Sequence, residues 1–600
     1  MLVALAIALS PFVQDLHADG PAAPASANPL APPRTAAAGG PPQIEVLLTN
    51  VPGAARNAVP GLPGVPFDPG TGSTHFDRVY GHPDGHWALT ALADLASAED
   101  EVLLVDGQLV IREGDAAPWT GGAEDCGTLD QRVAVNAGGA VVFATNSSAS
   151  SNDDYVVAHD AGAWTVYARE GEPIAGLPGA TFDDRIDSPL LLDDGRIGCA
   201  ADGIDGSVPP SEDDVLLLGS TVLAQKGVTV PAGQAGSTPA AIEDFDLGDF
   251  WASADGLHWM VQCDLDGPTG SDDVVLVDGA VVLQEGARIP GSSILEPIDE
   301  AGLFGVSMDA AGHWYARGDV DGTGTDWVVR DGEIVARTGD PVVPGSAEQW
   351  DDARYPDGFF AHVGNAAGSW VVAGTTDASD PALDAVVVLD GYAVVVRESD
   401  PVDLDGNGVH DDDVYVDTFG SDDLFLTDAL DLYVVATLKD GSGQRVGQGL
   451  LRVALDPGVG TRYCDAAVNS TGVPGELVAL GSARVADDDL RLRASELPPF
   501  SHGMFFVGRM SGWVPNIGGS QGAMCLSGPI DRYLGPGDFG STGPSGAIEL
   551  RVDLAAIPQQ GGAVAGLPGD TWYFQCWYRD VDGAGAATTN FTNGVEVTLR

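Results

Sequence analysis

Asp403-Leu404-Asp405-Gly406-Asn407-Gly408-Val409-His410-Asp411-Asp412-Asp413 is the stretch of this 600-residue chain whose residue types and spacing best fit a chemical task. Oxygen-bearing side chains at Asp403, Asp405, Asn407, Asp411 and Asp413 alternate around Gly406. That pattern suits a hard cation such as Ca2+, because the glycine permits a tight turn while alternate side chains converge on one centre. A solvated acidic turn accounts for the same letters equally well. Looser acidic loops precede other strands: Asp264, Asp266, Asp272 and Asp273; Asp319, Asp321 and Asp326; Asp202, Asp205, Asp213 and Asp214; Asp377, Asp380 and Asp384. Turn chemistry alone explains Asp-Gly at these points, and calcium is the competing reading.

Other reactive residue types give weaker patterns. Gly518-Gly519-Ser520-Gln521-Gly522 spells GxSxG, but a nucleophile elbow needs a strand, a sharp turn, a helix and a histidine partner. No histidine follows Ser520, so a glycine-rich loop is expected. His86, His258 and His313 occupy like positions in three segments without metal-ligand spacing, which reads as packing at a strand edge. Each is followed by a tryptophan expected to belong to the core rather than to a sugar platform. Six cysteines include no CxxC pair. Cys464 and Cys525 are the candidate disulfide, Cys199 and Cys263 either approach each other or stay as buried thiols, and Cys126 and Cys576 are left over.

The elements that would position these residues are short strands in a repeat. Ser271 to Gly291 shows the unit: an acidic pair, an apolar run, an Asp-Gly turn, a second apolar run and a Pro-Gly stop. The signature strand recurs as EDEVLLVDG, DDYVVAHDAG, EDDVLLLGS, SDDVVLVDG, TDWVVRDG and LDAVVVLDG, ending at Gly107, Gly162, Ser220, Gly279, Gly332 and Gly391. β-branched runs closed by turn residues argue for strands over helices, and a period above fifty residues argues for propeller blades. Six complete units are expected at 87–139, 140–195, 196–256, 257–312, 313–368 and 369–431. The leading strand at Ile44 to Leu48 and the trailing strands Leu432 to Leu438 and Gly449 to Leu455 would share a seventh, closing the ring and removing two exposed sheet edges.

The fold class expected is therefore all-β: an N-terminal β-propeller over 41–457, of seven blades with six, eight or an open solenoid as the alternatives, followed by a C-terminal antiparallel β-sandwich over 462–600. Residues 1–15 read as a signal peptide lacking a basic start, and 16–40 as a Pro/Ala-rich linker. Export to the extracellular space or cell surface follows, with no membrane span. A formal charge of -61, with Lys226 and Lys439 the only lysines, excludes nucleic acid as a partner.

Several motifs carry resemblances. The Asp403 loop resembles the calcium loops of dockerin or thrombospondin type 3 repeats, although Val414 stands where an EF-hand loop has its bidentate acid. The loops at Asp264 and Asp319 resemble those of integrin-type FG-GAP blades, one residue long and one short of that register. Tyr463-Cys464, Asn469-Ser470-Thr471-Gly472, Leu497-Pro498-Pro499, Gly518-Gly519-Ser520-Gln521-Gly522 with Cys525-Leu526, Phe574-Gln575-Cys576-Trp577-Tyr578-Arg579-Asp580 and Asn590-Phe591-Thr592 resemble a C-terminal domain recurrent in large secreted or surface proteins of planctomycete-type bacteria. That resemblance implies location and modularity and no catalytic residue. The function expected is a non-enzymatic exported binding or surface-architecture protein, calcium-stabilised, with an unknown protein or polysaccharide ligand. A carbohydrate-active enzyme on the propeller, glycosidase or lyase, and a calcium-dependent adhesin are the alternatives.

Overall fold

The computed structural model describes residues 44–599 except 71–74, 130–131, 150, 184, 236–238, 247–248, 293, 321–324, 344–345, 353–357, 392, 408, 456–458, 482, 484, 486–489, 536–538, 544–545 and 584. The signal-peptide and linker segments lie outside the described residues. Among the described residues there is no α-helix, and seven antiparallel sheets of four main strands follow one another along the chain up to Ala454. Their first strands are Phe76–Gly81, Val133–Val135, Arg185–Leu191, Ile242–Phe245, Ile298–Met308, Phe359–Gly364 and Val414–Leu426, which number the blades one to seven. The protein is a seven-bladed β-propeller followed by a smaller β unit.

Ring closure is visible in the packing. Seven apolar clusters each straddle two consecutive sheets: Leu103 with Val141, Val156 with Val215, Leu216 with Val261, Val275 with Val306, Val328 with Val372, Val387 with Val434, and Val435 of blade seven with Leu89 of blade one. The middle strands are covered on both faces, which is why their sequences are unbroken apolar runs such as Val102, Leu103 and Leu104, all 0% exposed. Blade seven is built from both ends of the propeller. Strand Ile44–Thr49 pairs with Arg445–Ala454 as the outermost strand of that sheet.

Asp-Gly turns join the third and fourth strands. Asp106, Asp278, Asp331 and Asp390 have φ of 48°, 52°, 49° and 49°, each before a positive-φ glycine. Two consecutive left-handed residues make the turn whose twist matches antiparallel strands, and Asp-Gly is the pair that tolerates it. The tryptophan-led strands, such as Trp259–Leu265, are second in their sheets rather than first. Each blade thus begins one strand earlier than the expected unit, on an inner strand that is broken by a bulge in every blade but the second.

Beyond the propeller, Thr461–Cys464, Ala587–Thr598, Thr571–Val581, His502–Pro515 and Ala523–Arg532 form one sheet in that order, with Phe539–Ser541 added to His502–Pro515. A second sheet of Glu476–Gly481, Leu490–Ser495 and Ile548–Val552 packs on it through Leu492, Val552, Phe505, Trp572 and Phe574. This is a β-sandwich. Cys464 and Cys525, on the two ends of the first sheet, form a disulfide with Cα atoms 6.5 Å apart, so that sheet is rolled toward itself. Closing a loop of 61 residues stabilises the unit by about 4 kcal/mol in the chain-entropy treatment. Cys126, Cys199, Cys263 and Cys576 are buried free thiols, and burial pushes Cys126, Cys199 and Cys576 up to about 12.

Candidate functional site

The Asp403 loop lies between the outer strand of blade six, Ala393–Arg397, and the first strand of blade seven. Asp403 is buried, bridges to Glu45 of the closing strand, and accepts the amides of Gly406 and Asn407 on Oδ1 at 2.8 and 3.1 Å. Asp412 folds back and accepts Leu404 N–H at 2.7 Å and Asp405 N–H at 3.2 Å. Asp403, Asp405 and Asp412 each offer a carboxylate oxygen within 4.8 Å of the others. Three like charges so close suit one hard cation, and these residues fit calcium's preference for oxygen. The remaining expected ligands are placed differently. Asn407 Nδ2 donates to Asp405 Oδ2 at 3.0 Å and to Asp411 Oδ1 at 3.5 Å, while Asp413, at φ 53°, turns toward Gly441. Gly408 lies outside the described residues.

The looser loops diverge from one another. In blade three Lys226 Nζ lies 3.1 Å from Asp213 and 2.8 Å from Asp214, so an internal ammonium holds that acidic pair. In blade four, burial and then Asp264 push Asp273 up to about 7. In blade five Asp326 accepts Gly358 N–H at 2.5 Å, joining consecutive blades, and Asp321 lies outside the described residues. A group absent from the sequence reading, Asp153, Asp154 and Glu170 of blade two, also brings three carboxylates within 4.8 Å.

The three histidines share one task. His86, His258 and His313 place Nδ1 at 2.6, 2.8 and 2.6 Å from Asp106, Asp278 and Asp331, and the next residue's N–H donates to the other carboxylate oxygen at 3.0 Å each time. They brace the Asp-Gly turn. In blade six Ser369 stands at the histidine position, and Arg493 of the sandwich donates to Asp390 Oδ2 at 2.6 Å instead. A gap in the repeat is filled by the following domain. Ser520 is buried and its hydroxyl donates to Thr589 O at 2.9 Å, a loop anchor rather than a nucleophile.

The ring brings together a group that sequence reasoning missed. Inner strands carry bulges: Asp187 to Leu190, Ile242 to Asp244, Ile298 to Leu303, and Phe419 to Leu424. Non-glycine residues Ser188, Ala301 and Asp422 take φ of 48°, 60° and 58° there. Bulges of this kind re-aim side chains, and such backbone costs about 1–3 kcal/mol each. Arg317 of blade five donates Nη1 to Asp422 Oδ1 at 2.6 Å and Nη2 to Oδ2 at 2.8 Å, reaching blade seven past His362 of blade six. Gly305 leaves the room: a Cβ there would sit 3.2 Å from Arg317 Nη2. Arg132 of blade two donates to Phe250 O at 2.7 Å and lies 3.8 Å over the Trp251 ring of blade four. Arg78 of blade one lies 5.6 Å over Tyr80 and interacts with Asp422, Asp423 and Asp249.

Electrostatics separates these axial acids. Burial would raise Asp422, but Arg317 outweighs it and holds the carboxyl below its ordinary value. Burial, only partly offset by Arg78 and reinforced by Asp422, pushes Asp423 up to about 8. Burial and Asp246 push Asp249 up to about 6, and burial with Arg317 holds His362 down at about 4. At neutral pH the axis therefore pairs an ionised acid, Asp422, with a protonated one, Asp423.

No family model matches the chain, and no curated protein matches it. Among solved structures, the chain is similar to prolyl oligopeptidase B from Galerina marginata at 9% identity and a TM-score of 0.28, covering 61% of this chain and 47% of that one, about half its length. It is similar to a GH43_12 protein retrieved from a capybara gut metagenome at 9% identity and 0.22, covering 95% and 96% of the two chains. A protein of unknown function from Dyadobacter fermentans is similar at 15% identity and 0.22, covering 54% and 93%. At these scores the likenesses carry no functional argument.

Proposed function

We propose that this is a non-enzymatic, exported binding or surface-architecture protein with acidic loops stiffened by calcium. The carrying observation is the state of the axis, where residues from many blades meet. There Arg317 takes both oxygens of Asp422, and Arg132 is held by Phe250 O and the Trp251 ring, so the charged groups cross-link blades. Export is supported by the disulfide, since such bridges persist in oxidising compartments, and by the resemblance of residues 462–600 to a domain of secreted proteins. Among the described residues no helix is long and apolar enough to cross a membrane.

A second reading, a glycosidase or lyase, is favoured by one observation: adjacent acids Asp422 and Asp423 are pushed apart, one below its ordinary value and the other to about 8. Acid pairs split in this way mark acid and base roles in known sites. Assaying the full chain and Asp423→Asn on chromogenic pyranosides and plant and bacterial polysaccharides separates the two. No turnover by either protein is expected; turnover by the wild type that disappears in a folded Asp423→Asn would replace the first reading with the second.

Calcium has its own test. The propeller is expected to melt higher in calcium than in chelator, by the equivalent of about 2.7 kcal/mol at a hundredfold excess over Kd. The difference should vanish in Asp403→Asn/Asp412→Asn. Superimposable curves for the wild type would remove calcium from the account.

A further inference from the structure

Blade two contains an opened copy of an ion pair that blade six keeps closed. The linkers before the two blades fold alike: Ala116 bridges Asp125 before blade two, and Pro341 bridges Gln349 before blade six. Gly114 N–H donates to Cys126 O and Gly339 N–H to Trp350 O, each at 2.8 Å. Glu124 and Glu348 are thus equivalent, as are Ser147 and Thr376, whose hydroxyls donate to these glutamates at 2.6 and 2.5 Å. Arg169 and Arg397 both end an outer strand. In blade six Arg397 closes on Glu348 through two bonds of 2.9 Å.

In blade two the pair is wedged apart. Where blade six has Ala385, blade two has Tyr155, each facing a threonine of the second strand, Thr375 or Thr145. Tyr155 donates its hydroxyl to Glu124 Oε2 at 3.1 Å, and Arg169 lies 5.1 Å over its ring. Between the separated acid and base lies a groove of ≈ 630 Å³, lined by Trp119, Tyr155, Tyr167, Glu124, Arg169 and Glu172 among others. That volume is in the range of small-molecule sites, about 300–1,000 Å³.

We infer that this groove is a carbohydrate-binding site for a neutral polysaccharide, an inference that rests on reading the protein as a binding module. The chemistry selects a ring bearing both an apolar face and hydroxyls. Aromatic walls take the face, carboxylates of Glu124 and Glu172 accept from hydroxyls, and Arg169 donates to them. A cationic ligand would meet Arg169 already on the Tyr155 face, and a polyanion would meet two glutamates on a chain of charge -61.

The test is affinity electrophoresis of the full chain in gels containing laminarin, galactomannan or dextran, with polygalacturonate as the anionic comparator and tetramethylammonium in tryptophan-fluorescence titrations. Retardation by at least one neutral polysaccharide is expected, weakened tenfold or more in Arg169→Gln and in Tyr155→Ala, which copies blade six and lets Glu124 meet Arg169. Arg169→Gln, at a partly exposed edge strand, keeps the test valid if Tyr155→Ala does not fold. Retardation unchanged in Arg169→Gln would overturn the groove while leaving a binding role elsewhere. No retardation by any neutral polysaccharide, or preference for polygalacturonate or tetramethylammonium, would overturn the ligand class, whereas the binding reading itself falls only to turnover in the pyranoside assay.

Discussion

Arg317→Met should lower the propeller's melting temperature at pH 7 by about 4–6 °C. Arg317 is 7% exposed and is bound to Asp422 through both oxygens, so methionine would fill the space while leaving a partly buried carboxylate, 30% exposed, without its main counter-charge. Breaking a buried pair from one side costs about 3–5 kcal/mol. With an unfolding entropy of roughly 2.1 cal/mol/K per residue over a propeller of some 410 residues, this converts to the shift given. The pH dependence identifies the cause. In the wild type Asp422 is held below its ordinary value, so its contribution is present above the ordinary carboxylate range and is lost as pH falls through the lower folded value. In the variant burial dominates, so the deficit should be largest at neutral pH and shrink toward pH 3.5, where a protonated Asp422 needs no partner. Equal deficits at pH 7 and pH 3.5 would assign the loss to packing, and no deficit at pH 7 would mean the ionic cross-link contributes nothing.

What could be read from the residues divides along the radius of the ring. The third strands and their Asp-Gly turns are legible because they are sandwiched between blades and need only β-branched runs and a left-handed turn, as in Val274, Val275 and Leu276 before Asp278. The sharing of blade seven was legible for the same reason, since Ile44–Thr49 has an outer strand's pattern without the rest of its sheet. Inner strands were not. Ile242–Phe245 reads IEDF with its two middle residues exposed, and Ile298–Met308 is broken by bulges, so neither alternates as a strand should. The axial group escaped for a topological reason: Arg78, Arg132, Arg317 and Asp422 come from four blades, and no local spacing records their meeting. The Asp403 loop was legible as an acidic loop, but spacing alone could not show that Asp412 folds back on the amides of Leu404 and Asp405. Nor could letters reveal that Arg493 would take the place of a histidine at Ser369, although the missing histidine was itself a signal.

Removing residues 1–50 should open the ring. The closing strand buries Ile44, Val46 and Leu48 at 1%, 1% and 7% exposure, the first two against the blade six and seven cluster and Leu48 against the cluster joining blades seven and one. At about 1.5–3 kcal/mol per buried side chain, the loss of these three removes at most roughly 5–9 kcal/mol. Polar contacts go with them. Thr49 donates its hydroxyl to Gln448 O at 2.7 Å, and Asn50, 0% exposed, donates to Asp68 O and Gly70 O at 2.8 and 2.9 Å while accepting Gln448 N–H at 2.6 Å. Gln448 in turn accepts Phe76 N–H at 3.2 Å, so this short segment ties blade seven to the first strand of blade one. Its deletion leaves Arg445–Ala454 as an unpaired edge carrying Leu450, Leu451 and Val453, a template for pairing with a second chain. The expected result is a truncated protein that elutes as dimers or larger species and whose backbone amides in blades seven and one exchange with solvent at least a hundredfold faster, with the disulfide-tied sandwich unchanged. Adding the peptide of residues 41–50 in excess should restore protection in Arg445–Ala454. A monomeric truncation with wild-type exchange in both blades would show that the inner strands alone hold the circle, and that the outer strand at Ile44–Thr49 is not its clasp.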